Sequence, residues 1–231
     1  MIRAILFDKD GTLTDFRATW EAWMPGMLSD LARETGADVA ALARVVGYDP
    51  DAGRILPDGL FVTATNAQTV AALAGPSGWP RDRMAAWMEH RTRAVEQVPV
   101  TDAGAYLAAL RERGYTLGVL TNGSQEEAVA HLDRLGASPH LERIIGFDSG
   151  WGAKPEAGGA LEFARHVGCD PAEVALVGDG LTDMGAARLA GMIPVAVLTG
   201  TLPAERLEPL AEVVLDDIRD LPAWLEARAT A

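Results

Sequence analysis

The sequence is poor in cysteine and in lysine. Its 231 residues include one cysteine, Cys169, which excludes both a framework of disulfide bonds and a zinc site built from cysteine ligands. A single cysteine is typical of a protein that works in the reducing cytosol. The two lysines are Lys9 and Lys154, and every other basic side chain that is charged at neutral pH is an arginine. The position of each lysine is therefore worth attention.

Long apolar runs and positive charge are scarce as well. No apolar run approaches the length that spans a bilayer, and the first one is too short and too soon acidic for a signal peptide. The formal net charge of −13 argues against binding to nucleic acid or to a membrane surface, since both favour basic patches. A small anionic substrate is still possible, because a metal ion and one lysine reverse the sign locally. We expect a cytoplasmic protein, either a monomer or a homodimer, whose partner is a small molecule.

Two aspartates directly follow the first apolar run of the chain. Residues 2–7 read as a buried strand, and Gly11 marks the turn after it. Because side chains alternate along a strand, we expect Asp8 and Asp10 to leave the strand end on the same side while Lys9 points elsewhere. Neighbouring carboxylates repel each other unless a cation or a shared proton relieves them. The pair indicates a metal site, acid–base chemistry, or both.

Strands and helices alternate in the last 130 residues or so, and a glycine follows most of the helices, as is usual at helix C-termini. The predicted strands lie at 115–120, 143–147, 174–177, 194–198 and 213–215, and the predicted helices at 102–113, 125–135, 156–167, 182–190 and 221–228. This alternation predicts an α/β fold with a doubly wound parallel sheet covered on both faces.

A helical segment separates the first strand from the others. Tryptophan and methionine recur there at three- and four-residue spacing, which predicts amphipathic helices, the first kinked near Pro25 and Gly26. Further helices are predicted at 39–46, 68–73 and 81–98. We predict a core formed by residues 1–15 and 97–231, and an inserted all-helical cap formed by residues 16–96.

Polar residues follow two of the later strands. Thr121 and Asn122 stand where a helix begins, and a hydroxyl with free backbone N–H groups at such a place suits a phosphate. The same residue types are also ordinary helix caps. Lys154 precedes Pro155, which suits the first helical position. A cation at a helix N-terminus opposes the helix dipole, so that a bound phosphate would explain it, although a solvated surface lysine is also common.

Asp179 and Asp183 follow the strand at 174–177, four residues apart across the junction between a loop and a helix. An acid in the first turn of a helix is favourable in itself, so Asp183 is explained by capping alone. Glycines flank Asp179 and indicate tight backbone geometry around it. Because the carboxyl ends of parallel strands meet at one edge of a sheet, we expect both aspartates to lie near Asp8.

Taken in order, these motifs resemble those of the haloacid dehalogenase superfamily. They are Asp-x-Asp-Gly-Thr, an apolar strand ending in Thr, Lys-Pro, and Gly-Asp-x-x-x-Asp. The similarity covers nearly the whole chain and is strongest to the phosphoglycolate-phosphatase-like branch, which has a Rossmann-like core and a helical cap. The chain departs from the family pattern at Lys9, where an apolar residue is usual, and at Ala157, where a second proline is common.

The resemblance implies a phosphatase that hydrolyses a small phosphate monoester, such as phosphoglycolate or a sugar phosphate. It makes Asp8 the nucleophile that forms an aspartyl-phosphate. It makes Asp10 the general acid and base, and we expect a raised pKa to hold its proton. The implied metal is Mg²⁺, bound by Asp8, the main-chain carbonyl of Asp10, and Asp179. Asp10 also favours a phosphatase over a dehalogenase, because a halide leaving group needs no proton.

The implied phosphate contacts are Thr121, the backbone N–H of Asn122, and Lys154. Asp183 would hold either a metal-bound water or Lys154. Arg17 and Arg54 are candidate contacts for a second anionic group on the substrate. His90 and His131, which lie in predicted helices, are expected at the surface or facing the cap.

Two alternatives stay open. A sugar phosphomutase similar to β-phosphoglucomutase would share these motifs and would need a cap that retains a bisphosphate. A receiver-type signalling module also combines an aspartyl-phosphate, Mg²⁺, Thr and Lys on a doubly wound sheet. Its acceptor would here lie on the first strand, and an insert of some eighty residues has no place in that fold. A calcium-binding loop at Asp8 is excluded, because Thr12 and Leu13 stand where a ligand acid and the turn glycine should be.

Overall fold

The first strand of the fold carries the first candidate residues at its end. The protein is described here by a computed structural model that covers residues 1–230. Strand β1 (Ala4–Phe7) is buried on both faces. Ile5 and Phe7 pack into one hydrophobic cluster, and Ala4 and Leu6 pack into another on the opposite face. The strand is thus an internal one, and its C-terminal end leads directly into Asp8.

The segment that follows β1 is mostly helical and includes one small hairpin. It starts with a π-helical turn (Arg17–Glu21), followed by α1 (Ala22–Thr35), α2 (Val39–Val46), β2 (Tyr48–Asp49), β3 (Arg54–Ile55), α3 (Leu60–Thr63), α4 (Asn66–Ser77) and α5 (Arg81–Arg93). β2 and β3 pair antiparallel. The buried apolar side chains of this segment form a cluster of their own, which extends from Phe16 to Val95. We call this segment, from Phe16 to Val98, the cap.

The predicted kink at Pro25 is replaced in the structure by a π-helical turn that lies before the proline. Helix α1 continues through Pro25, and the change of helical geometry lies just before it, where the π-helical turn gives way to α1 at Ala22. A wide turn immediately upstream accommodates the proline ring and its missing N–H donor without breaking the helix.

The rest of the chain alternates between strands and helices, as the sequence predicts. Its elements are α6 (Ala103–Glu112), β4 (Thr116–Leu120), α7 (Gln125–Arg134), β5 (Arg143–Ile145), α8 (Gly158–Val167), β6 (Val174–Gly178), α9 (Leu181–Ala190), β7 (Ile193–Val197), α10 (Ala204–Leu207), β8 (Val213–Leu215) and α11 (Leu221–Thr230). The ends of the predicted elements differ from these by no more than two residues, and α10 is an additional short helix. None of the helices within residues 1–230 has the length and apolar character needed to cross a membrane.

Six parallel strands form the main sheet, in the order β5-β4-β1-β6-β7-β8. Strand β1 lies at the centre, with Phe7 aligned to Val119 of β4 on one side and to Val177 of β6 on the other. The chain builds one half of the sheet through β4 and β5, then crosses β1 and builds the other half. The crevice at such a reversal of strand order is where doubly wound sheets bind ligands. The fold thus confirms the predicted α/β class and places its crevice at the end of β1.

Two chain segments side by side connect the cap to the core. The N–H of Asp15 donates to the carbonyl of Val98 at 2.8 Å, and the N–H of Val100 donates to the carbonyl of Leu13 at 3.1 Å. Because the outgoing and returning segments pair, the cap is attached at one place beside the end of β1.

Candidate active site

Three buried aspartates converge at the C-terminal edge of the sheet. Asp8 follows β1, and its N–H donates to the carbonyl of Val177 at 2.8 Å. Asp179 follows β6, and Asp183 lies in the first turn of α9. One carboxylate oxygen from each aspartate lies within 4.8 Å of one from each of the other two. The predicted proximity of these three residues is therefore present in the structure.

Lys154 bridges two of these carboxylates. Its Nζ donates to Oδ1 of Asp8 at 2.5 Å and to Oδ1 of Asp183 at 2.6 Å. Burial alone would lower the pKa of Lys154, but the two carboxylates outweigh burial and raise it above its ordinary value. Oδ2 of Asp183 accepts a hydrogen bond from the N–H of Gly180 at 2.9 Å. Lys154 is therefore a permanent cation in the site, and Asp183 holds it in place.

Asn122 positions the backbone of Lys154. Its side-chain Nδ2 donates to the carbonyl of Lys154 at 3.0 Å, and its Oδ1 accepts from the N–H of Lys154 at 2.9 Å. The predicted helix start at Glu156 is wrong by two residues, since α8 begins at Gly158. Lys154 therefore stands in a loop clamped by Asn122, and opposition to a helix dipole does not arise. Thr121 Oγ1 accepts from the N–H of Gly123 at 3.0 Å.

The charge balance of the site fits a divalent cation. Burial, followed by repulsion from Asp183 and Asp10, raises the pKa of Asp8 to about 7, although Lys154 opposes the shift. Burial, followed by the carboxylates of Asp8 and Asp183, raises the pKa of Asp179 well above its ordinary value. A single lysine does not neutralise three buried carboxylates. Oxygen donors of this kind are what Mg²⁺ prefers, so the residues present fit the predicted ion.

Two glycines press against Asp179. Gly11 has a φ of +88°, and a Cβ built on it would lie 2.5 Å from Cγ of Asp179. A Cβ on Gly200 would also overlap the Asp179 carboxylate. The loops that carry these glycines therefore reach the carboxylate only because they lack side chains. The predicted tight backbone around Asp179 is thus built largely by glycines distant in the sequence.

Asp10 is held as a carboxylate. Its Oδ1 accepts from Lys9 Nζ at 2.7 Å and from Trp20 Nε1 at 2.9 Å. Burial would raise the pKa of Asp10, but the Lys9 charge and these hydrogen bonds bring it below its ordinary value. The expectation of a raised pKa is wrong for the free protein, because Lys9 folds back onto Asp10 instead of pointing elsewhere. Both donors bind the same oxygen, so Oδ2 is not engaged by them.

A buried polar network lies behind Asp10. Lys9 is fully buried, and its Nζ also lies 3.0 Å from Nδ1 of His131. Nε2 of His131 lies 2.9 Å from the carbonyl of Thr92, which accepts only, so Nε2 carries the proton and Nδ1 accepts from Lys9. Burial and the Lys9 charge lower the pKa of His131 to about 4. Burial raises the pKa of Glu127, 4.0 Å from Lys9, to about 7.

Of the histidines and arginines noted in the sequence, His131 belongs to the site, whereas His90, Arg17 and Arg54 lie outside it. His131 is buried and faces the cap, which is one of its two expected placements, and His90 is exposed on α5. Arg17 donates to Oε1 of Glu21 at 2.8 Å, and Arg54 lies 3.8 Å from the other oxygen of the same carboxylate. Neither arginine lines the cavity described next.

A cavity separates the sheet edge from the cap. Its volume is about 110 Å³, and every predicted site residue lines it, namely Asp8, Asp10, Thr121, Asn122, Lys154, Asp179 and Asp183. The cap closes the opposite side with apolar and aromatic residues. Several carboxylates, a lysine and a helix N-terminus thus face one cavity, and groups of these kinds are used in phosphoryl transfer.

Comparison with known proteins identifies the family. Residues 2–191 match the family described as haloacid dehalogenase-like hydrolase. The chain is 31% identical to the plasmid-encoded phosphoglycolate phosphatase of Cupriavidus necator, over 96% of this chain and 92% of that protein. It is also 31% identical to the phosphoglycolate phosphatase of Chromobacterium violaceum, over 95% of each chain.

The chain belongs to the haloacid dehalogenase-like hydrolases. Within them it is a phosphatase, as the resemblance of its four motifs predicts. The fold agrees: the crystal structure of a predicted phosphoglycolate phosphatase from Haemophilus somnus superimposes with a TM-score of 0.71 at 18% identity, covering 97% of this chain and 98% of that one. A receiver-type signalling module is therefore no longer an alternative.

Four residues that contribute to the site were not predicted from the sequence to do so. They are Lys9, Trp20, Glu127 and His131, which surround Asp10. The one sequence signal for them is a lysine where the family usually has an apolar residue. A charged side chain at the end of an internal strand needs buried partners, and a search for them could have drawn attention to Glu127 and His131.

Proposed function

We propose that this chain is a Mg²⁺-dependent phosphatase that hydrolyses a small phosphate monoester through an aspartyl-phosphate on Asp8. The observation that carries the proposal is the contact of Lys154 with both Asp8 and Asp183, beside Asp179 and on the same cavity as Asp10. The contact supports the proposal because it sets one cation beside the carboxylate that would attack, in a buried site where electrostatic interactions are strong.

Mg²⁺ would be held by the carboxylates of Asp8 and Asp179 and by the main-chain carbonyl of Asp10, and when bound it would neutralise charge on the phosphoryl group. Asp183 keeps Lys154 in position. Lys154 and the hydroxyl of Thr121 bind phosphoryl oxygens, and the cap excludes water from the cavity.

Asp8 attacks phosphorus through the oxygen that Lys154 does not occupy. Asp10 gives a proton to the leaving alkoxide and then takes one from the attacking water. The low pKa of Asp10 in the free protein suits the second role directly. For the first role, the negative charge of the bound phosphate raises the proton affinity of the neighbouring carboxylate.

Replacement of the nucleophile tests this function. We expect Asp8→Asn to reduce phosphate release from an aryl phosphate by a factor of about 10³ or more, because no covalent intermediate forms. Asp133→Asn, which changes an exposed aspartate on α7, serves as the control and should keep full activity. EDTA should abolish turnover, and added Mg²⁺ should restore it.

Two results would contradict the proposal. Retained turnover in Asp8→Asn, with the fold verified by circular dichroism, would exclude Asp8 as the nucleophile. Isomerisation of a hexose 1-phosphate without release of phosphate would instead identify a mutase.

A further inference from the structure

The cap side of the cavity is an apolar wall. It is formed by Phe16, Trp20, Phe61, Val62 and Met88. Trp20 packs edge-on against Phe61 with ring centroids 5.4 Å apart, and Phe16 packs against Phe61 at 6.3 Å. These edge-to-face contacts fix the three rings relative to one another. The alcohol part of the substrate, which is released when the phosphoryl group is transferred, would therefore face an apolar surface.

No positively charged side chain among the described residues that line the cavity is free to bind a second anionic group. Among the described residues that line it, Lys154 is the only one that is positively charged, and it is bound to Asp8 and Asp183. Glu127 adds a further acidic side chain to the cavity lining. Lys9 does not line the cavity, and its ammonium group is bound to Asp10. A substrate with a second anionic group would bury that group next to carboxylates without a partner, which is costly.

The polar side chains on the cap side of the cavity include those of Asn66, Thr69 and Thr92. Oγ1 of Thr92 is buried and interacts with the carboxyl of Glu127 without forming a hydrogen bond of good geometry, so it can bind a neutral ligand. Buried hydroxyl groups almost always have a partner. A hydroxyl on the substrate would supply it, since a hydroxyl both donates and accepts.

We propose that the preferred substrate is the phosphate monoester of a small neutral alcohol with an apolar portion, and that Thr92 binds a hydroxyl group of that alcohol. Phosphoglycolate, whose leaving group carries a carboxylate, is a poor substrate. This inference rests on the proposed phosphatase function of the same cavity. The phosphoryl group takes part of the cavity volume of about 110 Å³, so we expect an alcohol of a few carbon atoms or one ring.

Matched substrate pairs test the charge requirement. The first pair is 2-hydroxyethyl phosphate and phosphoglycolate, and the second is phenyl phosphate and 4-carboxyphenyl phosphate, so each pair differs mainly by one carboxylate. We expect kcat/KM to be at least about 100-fold higher for the neutral member of each pair, because an unpaired buried charge costs several kcal/mol. Equal values, or a preference for the carboxylate, would overturn the inference while leaving a phosphatase. No turnover with any of the four would overturn the proposed function too.

Two variants test the named residues. Val62→Arg places a cation on the wall at a partly exposed position, and it should raise kcat/KM for phosphoglycolate relative to 2-hydroxyethyl phosphate by at least about tenfold. Leu189→Arg adds the same charge at an exposed position on α9 and should leave the ratio unchanged. If both variants shift the ratio equally, the effect is one of net charge and the wall is not the cause.

Thr92→Val removes the hydroxyl and keeps the shape of the side chain. It should reduce the preference for 2-hydroxyethyl phosphate over ethyl phosphate by about five- to tenfold, as the loss of one hydrogen bond predicts. An unchanged preference would exclude Thr92 as the partner of the substrate hydroxyl.

Discussion

Lys9 connects the proposed general acid and base to the interior of the protein. Its ammonium group touches Asp10 on one side and His131 on the other, and Trp20 donates to the same oxygen of Asp10. A carboxylate held by two donors on one oxygen has a defined orientation, which directs its other oxygen. Lys9 is thus a positioning residue that acts through Asp10.

We expect Lys9→Met to lower kcat by between about 10- and 1000-fold with little change in KM. General acid–base catalysis contributes roughly 10²–10⁴ to a rate, and methionine fills a similar volume without fixing Asp10. Steady-state kinetics on an aryl phosphate would measure both constants.

A double-mutant comparison shows whether the loss passes through Asp10. If Lys9 only positions that carboxylate, Lys9→Met should cause no further loss of kcat in an Asp10→Asn background. An additive loss in the double variant would mean that Lys9 supports the site in another way.

Glu127 makes the stability of the protein depend on pH. Burial raises its pKa to about 7 from an ordinary 4.5. The folded protein therefore holds this proton more tightly than the unfolded chain, so the fold loses stability as pH rises from about 4.5 through 7. Glu127→Gln stays neutral. The free energy of unfolding of Glu127→Gln should exceed that of the parent protein. The difference should grow between about pH 4.5 and 7 and then level off at about 3 kcal/mol.

Urea unfolding at pH 5, 6, 7 and 8 in magnesium-free buffer would measure the difference. Glu126→Gln is the matched control, since Glu126 is an exposed neighbour on the same helix, and its difference from the parent should not vary with pH. A flat difference for Glu127→Gln would mean that the buried carboxyl is stabilised in its charged form.

The residues that we propose to bind phosphate or metal were predictable, whereas those that support them were not. Asp8, Lys154 and Asp179 each follow a strand, and the ends of parallel strands must meet at one edge of the sheet. The direction of Lys9 was predicted wrongly because strand alternation stops where the strand stops. His131 is on a helix, and its partners Lys9 and Thr92 are distant from it in the sequence.

At the scale of elements, the loops after β1 and β7 clasp Asp179 between Gly11 and Gly200. A methyl group on Gly200 would overlap the carboxylate and force it to move. We expect Gly200→Ala to raise the Mg²⁺ concentration for half-maximal activity by at least about tenfold, because displacement of one ligand weakens a site that demands regular geometry. A magnesium titration of activity would measure it.

Gly26→Ala is a suitable control, since no atom lies within 4 Å of the added methyl group and alanine favours the helix in which it stands. An equal shift in both variants would rule out the clasp as the cause. Unchanged magnesium dependence in Gly200→Ala would show that Asp179 tolerates the displacement.

Element prediction succeeded where patterns are long and failed where they are short. The core strands and their helices were found because each carries several apolar residues in a regular period. The β2–β3 hairpin has two residues in each strand, and α3 and α10 have four residues each. Segments of that length contain about one turn of a helix or a single strand repeat, so tertiary contacts decide their structure.

At the scale of the whole molecule, the cap and the core meet through polar contacts around the cavity. Trp20 of the cap donates to Asp10, His131 of the core pairs with the carbonyl of Thr92, and Arg134 of the core donates to the carbonyl of Arg93 at 2.7 Å. Each unit has its own apolar core, so the interface can separate without unfolding either. We expect substrate entry and product release to depend on how often contacts of this kind break.

The buried indole of Trp20 gives this enzyme an optical reporter of its own. Its Nε1 donates to Asp10 and its ring is 3% exposed, so separation of cap from core would move the ring from an apolar wall into water. We expect the emission of the enzyme to shift to longer wavelength when the cap separates from the core and to return when the cap closes again, and we expect Trp20→Phe to abolish that change. Stopped-flow fluorescence would then time the closing step directly, without any attached dye.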